Sequence, residues 1–272
     1  MIIQHNMSAI NTHRQLGVNA GNLSKNVEKL SSGYRINRAA DDAAGLSISE
    51  RMRAQIRGME QASRNSQDGI SLIQTAEGAL QTVNNMLVRI KELATQSANG
   101  TYKDGDDRNR IQEEVAALSE EVDNIMKNTK FNGITLLNGS TDVTLQIGQE
   151  STQTLKLTAA SFSLTAVQSA VSSFDLKTAA GATTALANVE THINSVSAAR
   201  SYLGAYQNRL ENTINNLDIT SENLTAAESR IRDVDMAKEQ MKFTKNNILT
   251  QASQAMLAQA NQLPQGVLQL LR

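Results

Sequence analysis

The sequence predicts a mainly α fold: a long antiparallel helical coiled-coil rod with a small β hairpin, and both termini joined in a second coiled-coil layer. Three observations predict it. Apolar residues recur at alternating spacings of three and four at both ends of the chain. At that period a helix keeps one narrow stripe facing a partner helix and supercoils around it. The composition suits long helices packed along thin seams: 40% hydrophobic but only 3% aromatic, with no Trp and one Pro in 272 residues. Between 131 and 157 the helical period gives way to alternation, the mark of short strands.

Charge and cysteine content exclude several function classes. Lys and Arg total 26 against 27 Asp and Glu, which leaves no electrostatic footprint for nucleic acid or an anionic membrane. With no Cys there is no disulfide framework, thiol nucleophile or Cys-based metal site. The opening residues, MIIQHNMSAINTHRQ, lack a basic region followed by an apolar one. No run approaches 18 consecutive apolar residues. The expectation is a protein made in soluble form with no membrane insertion. Export by a route without a cleaved signal stays open.

Taken in order, residues 6–34 carry the first seam: Ala9, His13, Leu16, Ala20, Leu23, Val27, Leu30 and Tyr34, with Gly33 as C-cap. So polar a stretch is marginal as an isolated helix and is expected to stay disordered until a partner arrives. Asp41 and Asp42 signal a helix start. One long helix then runs from about 43 to 98, roughly 80 Å at 1.5 Å per residue. Its strongest seam is Ile73, Ala76, Leu80, Val83, Leu87, Ile90 and Ala94. Asn99-Gly100 ends it, and Asp104 to Asp107 start the next, with Ile111, Val115, Leu118, Val122 and Ile125 on its seam. The short break makes these two helices an antiparallel hairpin.

Asn132-Gly133 and Asn138-Gly139 are turn dipeptides. Val143, Leu145 and Ile147, then Leu155 and Leu157, alternate with polar residues as a β hairpin covering part of the rod. Residues 158–186, rich in Ser, Thr and Ala, are expected to be an exposed, variable segment. The helical period returns with Val189, Ile193, Val196, Leu203, Leu210, Ile214, Leu217, Leu224 and Ile231. It closes with Met256, Ala260, Leu263, Val267 and Leu270, where Pro264 should kink or break the helix.

Four blocks at the two ends resemble bacterial flagellin and occur in that family's order. They are KLSSGYRINRAADDAAGLSISERMRAQIRG (Lys29–Gly58), NSQDGISLIQTAEGAL (Asn65–Leu80), ENTINNLDITSENLTAAESRIRDVDMAKE (Glu211–Glu239) and NILTQASQAMLAQANQLPQGVLQLLR (Asn247–Arg272). The resemblance implies a subunit exported unfolded through the flagellum's own type III channel, which polymerises into the extracellular filament for swimming. It implies an inner coiled-coil domain of 1–43 with 236–272. An outer helical rod of 44–135 with 185–235 follows, and 136–184 forms the hairpin and a short variable segment. The large outer domains of longer flagellins are absent. Implied partners are other copies of the chain, a cytosolic export chaperone, and the filament cap and hook-junction proteins.

The resemblance also assigns residues. Leu16, Leu23, Val27, Leu30, Met256, Leu263, Val267 and Leu270 form the inner-layer assembly seam. The last four also serve as chaperone anchors in a helix-in-groove mode. LVRIKEL (Leu87–Leu93) resembles the segment read by the Toll-like innate receptor for flagellin. Arg89 and Leu93 match there, and Glu114 matches on the next helix, while Val88 and Lys91 replace the usual Gln and Arg. Physical reasoning alone reads Arg89 and Glu114 as a solvated cross-helix pair. His5, His13 and His192 have neither i, i+4 spacing nor an HExxH motif. No metal, cofactor or catalytic constellation is expected. The alternatives are a hook-filament junction protein and, in another class, a signalling coiled coil, whose heptads would run on through 131–157.

Overall fold

Asp42 starts the longest helix by accepting a hydrogen bond from Gly45 N at 2.9 Å, which satisfies one of the free amides of the first turn. The computed structural model describes residues 6–270 apart from 104 and 140, with side chains up to Gln262. It contains α1 (Met7–Ser32), α2 (Ala43–Ser97), α3 (Asp107–Asn128), β1 (Lys130–Phe131), β2 (Ile134–Thr135), β3 (Val143–Gln146) and β4 (Thr154–Leu157). A single 3-10 turn (Ala159–Ser161), α4 (Thr165–Val171), α5 (Ala179–Arg232) and α6 (Met236–Leu270) complete it. Contacts divide the chain into two units: 57–221, and the two ends, 1–56 with 222–272.

In the 57–221 unit, the seam read from α2 is the core. Ile73, Ala76, Leu80, Val83, Leu87, Ile90 and Ala94 are all fully buried. Ile111, Val115, Val122 and Met126 meet them from α3, and Val189, Val196, Leu203 and Leu210 from α5. Helices α2 and α3 run antiparallel, as Ser97 and Arg108 show: the Arg108 Nε donates to the Ser97 carbonyl at 2.9 Å. This buried guanidinium also takes the Asn99 carbonyl at 3.0 Å, so one side chain serves the end of α2. Between α2 and α5, Arg200 reaches Glu77 at 3.4 Å.

Both turn dipeptides read from the sequence sit at turns. Asn132 and Gly133 both have positive φ (47° and 81°), the requirement of a two-residue hairpin turn, and they join β1 to β2. Strands β3 and β4 pair antiparallel, with Leu145 opposite Leu155. This hairpin is tied to α2 by Asn65 Nδ2, which donates to the Gln146 carbonyl at 3.1 Å. Gly69 leaves room for the Leu145 side chain, where a Cβ would collide with it.

Two expectations fail here. Residues 158–186 are not an exposed segment. Ala159, Phe162, Leu164, Val167, Val171, Phe174, Leu176, Ala182 and Ala185 are all buried in the same core, and α5 already begins at Ala179. The anchors are spaced irregularly through a 3-10 turn and a seven-residue helix, so no single period reveals them. Nor does Pro264 break the last helix, which is continuous from Met236 to Leu270.

Candidate assembly interface

The unit formed by the two ends is built on α1 and α6, which pack antiparallel: Asn6 meets Ala260, and Asn19 meets Ser253. Residues 7–32 are helical and paired with α6 in this structure. Gly33 caps α1 in the left-handed conformation expected of it, its N–H donating to the Lys29 carbonyl.

A short clasp follows the cap. Tyr34 bridges to Asp233, Val234 N donates to the Gly33 carbonyl at 3.0 Å, and Arg35 N to the Arg232 carbonyl at 2.7 Å. The Tyr34 ring lies between two guanidinium groups, with Arg53 at 5.1 Å and Arg232 at 4.8 Å from its centroid. Arg53 also donates to the Tyr34 hydroxyl at 3.0 Å and pairs with Glu228 at 2.8 Å. Ile36, 1% exposed, is the apolar plug beneath.

The seam between α1 and α6 runs on a different phase from the one read in the sequence. Leu16, Leu23 and Leu30 are half-buried as expected. Val27 is 48% exposed, and Asn19 and Asn26 are buried in its place. His13 and Ala20 are exposed as well. On α6, Met256 is 60% exposed, while Ala260 is buried and Ser253 and Leu257 are half-buried. The side chains of Leu263, Val267 and Leu270 lie outside the described residues. The phase differs because the buried polar residues are hydrogen-bonded between the helices, and a pattern of apolar residues cannot register them.

What this leaves outside is apolar. Thirteen large apolar side chains are exposed among the described residues, and ten belong to this unit: Met7, Ile10, Val18, Val27, Ile48, Met236, Met241, Ile248, Leu249 and Met256. A monomer seldom leaves so many apolar groups to water on one unit, nine of them here on α1 and α6.

The residues read as a receptor site lie in the other unit. Arg89 Nη2 is 2.8 Å from Glu114 and Nη1 is 3.1 Å from Glu92, both carboxylates exposed. Glu114, then Glu92, hold the Arg89 guanidinium above its usual pKa. Leu93, in contrast, is 2% exposed and belongs to the core. It cannot be touched from solvent, because it lies within the buried core cluster of this unit. The sequence placed it by motif and had no way to see that burial. Val88 is 41% exposed, and Lys91 faces Glu190 at 3.5 Å.

Among the described residues no group of three His, Cys, Asp or Glu could hold a metal ion, and no helix is long and apolar enough to cross a membrane. Burial lowers the His192 pKa. That histidine lies against Phe174, ring centroids 6.3 Å apart.

Comparison with known proteins places these features. The family described as the bacterial flagellin N-terminal helical region matches residues 3–142, and the bacterial flagellin C-terminal helical region matches 186–271. A flagellin of Halalkalibacterium halodurans is 57% identical over 273 residues, and one of Bacillus subtilis 52% over 305, each alignment covering 100% of both chains. Among solved structures, the crystal structure of Bacillus cereus flagellin superposes with a TM-score of 0.51 at 31% identity, covering 61% of this chain and 94% of that one.

Proposed function

The chain belongs to the bacterial flagellin family and is a structural subunit of the flagellar filament, and from that premise we propose that its terminal helix pair is the surface through which the subunits polymerise. One observation carries the reading: the exposed apolar side chains are concentrated on the unit of the two ends. A repeating contact between such a surface and a different patch on the next copy grows a helical polymer when its rotation does not close into a ring. Leu16, Leu23, Leu30 and Ala260 serve the pair itself, while Met7, Ile10, Val18, Val27, Ile248 and Met256 serve the neighbour.

The finer expectations become proposals here. The subunit travels through the flagellar export channel unfolded, and a helix pair with buried amides is easily opened for that passage. An export chaperone shields the apolar face of α6, Met256 included, until then. The filament cap and hook-junction proteins contact the same terminal unit. Innate-receptor recognition rests on the exposed Arg89–Glu114 pair, with Leu93 acting only through the core beneath it.

The test is seeded growth. Purified chain is mixed with short filament fragments, pelleted and viewed by negative-stain electron microscopy, beside a chain lacking residues 249–272. Long filaments from the intact chain alone are the expected result. An intact chain that stays monomeric on good seeds moves the reading to the hook-filament junction protein.

A further inference from the structure

The polar residues buried between α1 and α6 form a ladder of three rungs. At the first, Asn6 Oδ1 accepts from Ala9 N at 3.1 Å and caps α1. Its Nδ2 donates to the Ala260 carbonyl at 2.7 Å. That carbonyl is a special acceptor. In a continuous helix it would take the N–H four residues on, but that residue is Pro264, which has none. Asn6 therefore supplies a hydrogen bond to the carbonyl that Pro264 leaves without its helical donor, in a helix continuous past that proline.

At the second rung Asn19, 5% exposed, donates from Nδ2 to the Ser253 hydroxyl at 2.9 Å. At the third, with its side-chain amide turned so that oxygen and nitrogen each meet a complementary neighbour, Asn26 donates to Glu239 Oε1 at 3.0 Å and accepts from Asn246 Nδ2 at 2.9 Å. Glu239 is itself 3% exposed and is held by Lys242 at 2.8 Å. Half-buried apolar residues lie between the rungs: Leu16 and Leu23 on α1, Phe243 and Leu257 on α6.

We infer that Asn6, Asn19 and Asn26 are the specificity-determining residues of the terminal helix pair: they fix its antiparallel register and so decide which apolar side chains face the next subunit. The reason is a degeneracy of the leucines. Leu16, Leu23 and Leu30 repeat every seven residues, so an apolar seam alone is nearly unchanged when one helix slides by a heptad. Buried amides are not, because each must find its own partner. Sliding one way sets Asn19 against Ala260, which offers no side-chain acceptor. Sliding the other way brings Asn19 to Asn246. Both slips remove Asn6 from the carbonyl that Pro264 has freed. The ladder leaves one register in which every group is satisfied.

The inference rests on the assembly reading for its purpose, but its test does not need a filament. The chain has no Cys, so Arg14→Cys and Ala258→Cys, both at exposed positions, give two nitroxide labels on the free full-length chain. A slip of one heptad changes their axial separation by about 10 Å. Double electron-electron resonance is expected to return one narrow distance with the asparagines present. With Asn19→Leu and Asn26→Leu, a second population at a distinct distance, from the slip that draws the labelled positions apart, should hold at least a third of the signal. Seeded elongation by that variant should fall in proportion.

Asn19→Ala with Asn26→Ala removes the amides without adding apolar volume. It should show the same second population, or no defined distance at all. A single unchanged distance in either pair of substitutions overturns the inference. So does a broad distribution in the chain with its asparagines intact. Failure of filament growth with a narrow distance would instead count against the assembly reading.

Discussion

Single residues in this protein divide by whether their partner lies in water or in the fold. Arg89 and Glu114 are a pair of the first kind, about half exposed on both sides. Arg89→Ala should therefore leave urea-unfolding stability essentially unchanged. Surface plasmon resonance against the innate receptor should lose binding in the same variant, if receptor recognition rests there. His192 is of the second kind. Burial lowers its pKa below the usual 6.5, so the folded chain binds a proton less readily than the unfolded one. The neutral ring contributes stability above pH 6.5, and that contribution is lost as pH falls through the lowered folded value. His192→Gln should flatten the dependence of Tm on pH between 7 and 5, as calorimetry would show. Tyr34 is also of the second kind. Tyr34→Leu removes two guanidinium-ring contacts and a hydroxyl acceptor, a loss of about 1–2 kcal/mol. Faster amide exchange at residues 33–36 is the readout.

Among the elements, the long helices were legible because one rule governs them throughout. Every residue of the α2 seam from Ile73 to Ala94 is fully buried, so Leu87→Ala should cost about 2–5 kcal/mol by urea unfolding. The β3–β4 hairpin was legible for the same reason at a period of two. Where two rules compete, the reading failed. Asn19 and Asn26 occupy buried positions that an apolar count assigns to Ala20 and Val27, because hydrogen bonding between helices offsets their desolvation. Phe162, Val167, Val171 and Phe174 were hidden by the small polar residues around them and by elements too short to show a period. Leu93 was assigned to a surface by its motif, yet it belongs to the same core cluster as this unperiodic segment. Pro264 was read from its missing N–H alone. The donor that meets the Ala260 carbonyl instead, Asn6, lies 254 residues from Ala260 in sequence, beyond any local rule.

At the scale of the molecule, the clasp of 33–36 against 231–234 has a consequence for grafted sequence. It closes a ring of chain whose two ends are already held together, whatever is threaded between them. Lengthening a closed ring raises its closure entropy only logarithmically. A passenger peptide spliced at the exposed turn between Glu150 and Ser151, even one of a hundred residues, should cost the clasp on the order of a few tenths of a kcal/mol. Amide exchange at Arg35 and Val234 should be unaltered, while a passenger of the same size placed inside α1 should abolish their protection. The chain is in this sense a display scaffold: cargo is tolerated in the middle of the sequence because the mechanical identity of the subunit is kept at its ends.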